Sequence, residues 1–287
     1  MYKRQLDYDE SGLDAAYDQR VWAHNIPQVR ERISERAAEA RAAVGEPERH
    51  AYGSSAMEGL DWYRGDPGGP IHVHLHGGAW RNGRSGPQIY MADLTVDTGA
   101  HCVIPDYVKV GDTGGDLLPL GEQSRRAVAW VYENAEQFGA DPDRIVLSGH
   151  SAGGHLAGVA LTTEWSTYGL PTDVVKKGLC VSGMFDLYPV SLSSRNEYVA
   201  FNDDTVESLS PIRHLEHLSA EIVVAVGTRE SPEFQRQSRD FHEAVEQAGK
   251  NTQLIVADGL NHFEMVLDLG SRDGIVRAQL NRLLGQV

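Results

Sequence analysis

The chain has 287 residues, 41% apolar and 23% charged, a globular balance with length enough for one large α/β domain or two small ones. Lysine and arginine number 26 against 41 aspartates and glutamates, and a net charge of −15 repels nucleic acid and anionic lipid, which excludes a general nucleic-acid binder. Two cysteines inside apolar runs, Cys102 and Cys180, make no disulfide framework. No apolar stretch approaches the roughly 18 residues of a membrane span, and the opening MYKRQLDYDE has no apolar secretory region, so a cytoplasmic protein with no membrane partner is expected.

Residues 1–25 are polar and read as irregular, with Tyr2, Tyr8, Tyr17 and Trp22 scattered through them. Pro27 opens a helix whose apolar stripe is Val29, Ile33, Ala37, Ala40 and Val44, and Gly45 and Pro47 stop it. Residues 1–48 are therefore expected to form an extension, either packed on the domain surface or helping to roof a site. Residues 49–287 would form the main domain. There, short apolar runs alternate with helical stretches. Strands are expected at 60–64, 71–76, 101–105, 144–148, 178–181, 222–226 and 252–257. Helices are expected at 123–138, 155–163 and 234–248, and over 263–284 with a break near Gly270. Continuous apolar strands separated by helices predict an α/β fold: a mostly parallel sheet with helices on both faces. Segments 167–177 and 187–211 read as excursions of the kind that form lids and substrate loops.

Residues 145–154 read IVLSGHSAGG, a strand followed by Gly-x-Ser-x-Gly and a helix. That spacing puts Ser151 on a sharp strand-to-helix turn with its hydroxyl exposed, while Gly149 and Gly153 keep side chains out of the turn. The helix start favours developing negative charge. After the strand at 71–76 comes His76-Gly77-Gly78-Ala79-Trp80. Paired glycines let backbone N–H groups face an anion, so Gly77 and Gly78, with the N–H of Ala152, are the expected oxyanion hole. His72, His74 and His76 alternate on one face of that strand. A His-x-His pair can hold zinc, but no second ligand cluster has metal spacing, so hydrogen bonding is the better reading and no metal site is assigned.

The base should follow the last strand. His262 in DGLNHF occupies that position, ahead of His101, His214, His217 and His242. The acid should follow the preceding strand, where Glu230 is the first carboxylate; Glu233 faces a helix start, and Asp186 is the other alternative. Four aromatic residues, Trp80, Phe185, Tyr17 and Trp22, are expected to line a flat slot for an aryl group, with core or surface packing as the alternative.

Together these pieces resemble the α/β-hydrolase fold across roughly residues 50–287. Within it the chain looks like the kynurenine formamidase (arylformamidase) group, neighbours of the hormone-sensitive-lipase-like esterases. The resemblance rests on HGGAW at 76–80, GHSAGGH at 149–155, SGMFDL at 182–187, and ESPEF at 230–234 with Arg236-Gln237-Ser238 and then Asn261-His262-Phe263. Segment 17–25 and the helix after it also look like that group's beginning. The resemblance implies a triad of Ser151, Glu230 and His262 and hydrolysis of a formyl or other small acyl group on an aryl amine, without cofactor or metal. The group usually has aspartate at the position of Glu230. A carboxylesterase is the alternative, against which Ala79 leans by replacing a third glycine; a catalytically silent binding protein is the remote one. A small aryl amide or ester is the expected partner, and a homodimer is compatible with the sequence.

Overall fold

The computed structural model describes residues 8–84 and 86–285. Eight strands form one sheet: β1 (Glu48–Ala51), β2 (Gly59–Tyr63), β3 (Gly69–Leu75), β4 (His101–Pro105), β5 (Ala140–His150), β6 (Lys177–Val181), β7 (Glu221–Gly227) and β8 (Thr252–Ala257). Their order is β1-β2-β4-β3-β5-β6-β7-β8. The two β1–β2 and β2–β4 pairings are antiparallel, and all the others are parallel. The apolar runs of β3, β5, β6 and β7 match burial on both faces, as parallel strands under helices require. Strand β1 (ERHA) is polar at the sheet edge and escapes an apolar-run reading.

The helices are α1 (Glu10–Tyr17), α2 (Ile26–Val44), α3 (Ala92–Val96), α4 (Leu118–Asn134), α5 (Ala152–Leu161), α6 (Leu187–Ser191), α7 (Asp203–Ser208), α8 (Pro232–Gln247), α9 (Glu264–Leu269) and α10 (Ile275–Leu283). One core joins Ile71, Val73, Leu147 and Val224 of the sheet to α1, α4, α5 and α8. The opposite face joins Val146, Leu179 and Val223 to α9 and α10, with Ile33 and Ala37 of α2 packed against it. Every residue of α5 is buried, so this short helix is held by its surroundings rather than by an amphipathic pattern.

Three sequence expectations change. Residues 10–17 are helical, capped by Asp9 accepting from the Gly12 N–H. The helix expected at 155–163 begins at Ala152, because the Gly-rich turn feeds directly into it. Segment 187–211 is not an open excursion; it contains α6, α7 and the tight turn Ser194–Glu197.

The alternating histidines of β3 are absorbed into a buried polar chain. His72 Nε2 and His74 Nδ1 both lie 2.7 Å from Ser148 Oγ. The chain continues through His72 Nδ1 to Thr95 Oγ1 (3.3 Å), which accepts from Arg277 Nη1 (3.3 Å), and through His74 Nε2 to Tyr90 Oη (3.4 Å). Ser148 has one hydrogen, so at most one of the two imidazoles accepts from it and at least one donates to it. Among the described residues no group of three or more potential ligands could hold a metal ion.

Candidate active site

Strand β5 runs straight into the elbow. Ser151 adopts φ 58°, ψ −120°, a region that side chains rarely occupy and that costs of order 1–3 kcal/mol. The glycines around it have no substitute: a Cβ on Gly149 would meet the Gly153 carbonyl oxygen at 2.1 Å, and one on Gly153 would meet the Leu75 carbonyl oxygen at 1.9 Å. The Ser151 N–H donates to the Val181 carbonyl at 2.9 Å, tying the turn to β6.

The turn after β8 brings His262 to this serine. His262 Nε2 lies 2.9 Å from Ser151 Oγ, and His262 Nδ1 lies 2.7 Å from Glu230 Oε2. The other carboxylate oxygen, Oε1, accepts from Ser182 Oγ at 2.5 Å and from the Gly227 N–H at 2.8 Å. All three residues are buried. A buried carboxylate holding imidazole Nδ1–H leaves Nε2 free to accept the serine proton. Glu233 and Asp186 lie elsewhere. Arg236 and Tyr17 take the Glu233 carboxylate, while Asp186 caps Tyr188 and accepts from Arg213.

The N–H groups expected to form an oxyanion hole lie on the loop after β3 and at the start of α5. Gly77 lies against the elbow, where a Cβ would sit 2.8 Å from the His150 carbonyl and 3.3 Å from Ser151 Cβ. The N–H groups of Gly77, Gly78 and Ala152 donate to no acceptor among the described residues. The loop turns sharply, with positive φ at Gly78 (127°), Ala79 (54°) and Trp80 (58°). Unsatisfied N–H groups beside a nucleophile are what an oxyanion needs.

Protein partners account for each of the four aromatic residues, and Arg195 joins two of them, lying over the Trp80 ring and donating to the Tyr17 carbonyl at 2.8 Å. Phe185 is fully buried and stacks on Phe241 at 4.2 Å; Trp80, buried too, donates its indole N–H to His155 Nδ1 at 3.2 Å. Tyr17 is buried with its hydroxyl donating to Glu233, and Trp22 is partly exposed with its indole N–H on the Ala15 carbonyl. Packing and indole or phenol hydrogen bonds hold each of them. A cavity of about 420 Å³ lies between α2 and the 264–274 segment, lined by charged residues such as Arg32, Glu35 and Asp268, and its lining does not include Ser151, Glu230 or His262.

Sequence reasoning missed two supports. Ser182, at φ 52°, aims its hydroxyl at Glu230. His150 donates from Nε2 to the His262 carbonyl at 2.9 Å, and its ring lies 4.5 Å from that of His262. Burial, together with the neighbouring His262, lowers the His150 pKa well below its ordinary value, so it serves as a neutral donor. Their neighbours in the sequence, SGMFDL and GHSAGG, were conspicuous, but nothing local shows which long-range partner each would meet.

Fold and site define an α/β-hydrolase-class serine hydrolase. The BD-FAE family model matches residues 63–245, and the chain belongs to that family. It is 30% identical to a kynurenine formamidase of Danio rerio, over 82% of this chain and 80% of that protein. Identity is 28% to a kynurenine formamidase of Salmo salar, over 99% of each chain. A hyperthermophilic esterase from Pyrobaculum calidifontis shares the fold with a TM-score of 0.69 at 18% identity, covering 93% of this chain and 95% of that one. Among the described residues no helix is long and apolar enough to cross a membrane.

Proposed function

We propose that the chain hydrolyses a formyl or other small acyl group from an aryl amine, with Ser151 as nucleophile, His262 as base and Glu230 as acid. The observation that carries this reading is the continuous Glu230–His262–Ser151 hydrogen-bond chain beside the unengaged N–H groups of Gly77, Gly78 and Ala152. Ser151 Oγ attacks the acyl carbon while His262 Nε2 takes its proton. The carbonyl oxygen becomes negative among the three N–H groups. When the tetrahedral adduct collapses, His262 gives the proton to the departing amine nitrogen, leaving an acyl-serine. Water then attacks the acyl carbon with His262 again as base, and the serine is released with the acid product.

The amine leaving group is supported by similarity to the two kynurenine formamidases, one of them along nearly its whole length. Ester cleavage uses the same steps and is the second reading. Both are separated by kcat/KM for N-formylkynurenine beside p-nitrophenyl acetate and a panel of anilides. Turnover of short esters with none on any aryl amide would move the protein to carboxylesterase. The two free, buried cysteines suit a cytoplasmic setting, which cell fractionation tests.

A further inference from the structure

The mechanism makes no use of residues 16–25, yet these cross both loops that carry its proton relay. Ser231 follows the acid Glu230 directly. Its hydroxyl accepts from Gln19 Nε2 at 2.7 Å and donates to the Ala16 carbonyl at 2.5 Å, and its N–H donates to Gln19 Oε1 at 3.3 Å. Asn261 immediately precedes the base His262. Its side-chain amide donates to Asn25 Oδ1 at 2.9 Å, while Asn25 Nδ2 donates to Glu264 Oε1 at 2.7 Å. Glu264 closes this second clasp by accepting the Asn261 N–H at 2.9 Å. One short run of chain therefore grips the residue next to the acid and the residue next to the base.

Gln19, Ser231 and Asn261 are all buried. A buried amide is unfavourable unless its donor and acceptor are both met, and both polar atoms of Gln19 go to the single residue Ser231. Apolar packing would hold the segment down without that directional demand. Elsewhere the two loops also touch: Arg229 N–H donates to the Leu260 carbonyl at 3.0 Å, a Cβ on Gly227 would meet that same oxygen at 2.2 Å, and Thr228 Oγ1 donates to Asp258 Oδ1 at 3.2 Å and accepts the Gly259 N–H at 2.8 Å. These contacts lie at the near ends of the loops. At the parts that bear Glu230 and His262, the Gln19 and Asn25 bonds act beside those of Gln235 Nε2 on the Glu230 carbonyl at 2.8 Å and of His150 on the His262 carbonyl.

We infer that Gln19 and Asn25 are positioning residues: segment 16–25 is a strap that sets the spacing of Glu230 and His262, and so the alignment of Nε2 on Ser151. The inference rests on the triad reading above but not on the choice between amide and ester. It differs from an aromatic roof over the substrate, because a strap acts on kcat for every substrate and a roof acts on KM for aryl ones.

The test uses the full chain with Gln19→Met, which keeps the side chain's volume and removes both bonds, alone and combined with Asn25→Ala. The readouts are kcat and KM for p-nitrophenyl acetate, and the rate at which diisopropyl fluorophosphate labels Ser151, which reads nucleophile activation without substrate. Misplacement of a reacting group by about 1 Å costs on the order of 10²-fold, so we expect about a tenfold loss of kcat in the single variant and about 10²-fold in the double. The labelling rate should fall in parallel, with KM within about twofold and circular dichroism native at 25 °C. A folded variant with wild-type labelling and kcat, or a loss confined to KM, overturns the strap. Should the double variant fail to fold, Gln19→Met decides alone. Absence of labelling in the wild type would instead sink the serine mechanism, and the strap with it.

Discussion

Replacing Glu230 with glutamine tests the acid through a consequence of its hydrogen bonds. Oε1 accepts from two donors, the Ser182 hydroxyl and the Gly227 N–H, so the oxygen of the new amide belongs there. Its NH₂ group must then face His262 Nδ1, where Oε2 now sits at 2.7 Å. A donor at that place requires Nδ1 to accept, which moves the imidazole proton to Nε2. Nε2 faces Ser151 Oγ at 2.9 Å and can no longer take its proton. The wrong tautomer costs about 10³–10⁴-fold in kcat, or about 4–5.5 kcal/mol of transition-state stabilisation. The measurement is steady-state hydrolysis of p-nitrophenyl acetate, with folding followed by circular dichroism. Asp186→Asn is the control, since its side chain meets Tyr188 and Arg213 rather than the base. A Glu230→Gln enzyme within tenfold of wild type, or a crippled Asp186→Asn enzyme, would refute the reasoning.

Three other outcomes are expected. Ser151→Ala should lose at least about 10³-fold in kcat while staying folded, and intact-protein mass spectrometry should show fluorophosphate on the wild type but not on the variant; substantial residual turnover would exclude the serine mechanism. Ser182→Ala removes one of the two bonds on Glu230 Oε1 and should lower kcat about tenfold, the scale of a hydrogen bond to a charged group, with KM little changed. Acid stability follows from the buried histidines whose pKa values burial lowers. Burial lowers His72 to about 3 and His76 and His155 to about 4, and holds His74 and His150 well below the ordinary value of 6.5. Between the folded values and 6.5 the unfolded chain binds more protons, so stability is full above 6.5 and falls as the pH drops below it. His72, His76 and His155 each cost about 1 kcal/mol between pH 6.5 and 5.5, together about 3 kcal/mol, a large share of a domain's stability, and His74, His101 and His150, also lowered by burial, add in the same direction. Thermal melts should collapse between about pH 6 and 5; an unchanged Tm at pH 5 would contradict that count.

The readable parts of this protein are those whose physics is local. Runs such as IHVHLH and RIVLS announce strands because nothing else explains short β-branched stretches between glycine or proline turns. Gly149, Ser151 and Gly153 announce the elbow because backbone crowding dictates their spacing. His262 and Glu230 are legible by position after successive strands, a topological argument needing only the order of elements. Helix α1 is hidden because it is short and its apolar residues are few, and its buried Leu13, Ala16 and Tyr17 gain their meaning from the surface they meet. Gln19 and Ser231 stand 212 positions apart, and no spacing rule links an amide in a polar segment to a hydroxyl beyond the acid. The aromatic residues are ambiguous for a related reason: composition says that Phe185 and Trp80 are buried somewhere, but not that they meet Phe241 and His155.

The polar chain from Arg277 to Tyr90 bears on how this sequence can change over time. Its members share hydrogens, so replacing any one by an apolar residue strands its neighbours. Ser148→Ala, for example, leaves nitrogen atoms of His72 and His74 without their partner at once. A stranded buried group costs about 1–3 kcal/mol, whereas converting both partners to apolar residues of the same shape is close to neutral. The intermediate is worse than either end, so drift one residue at a time meets a barrier on every route out. The histidines of β3 can therefore persist without binding anything, held in place by the interlocking of their neighbours alone.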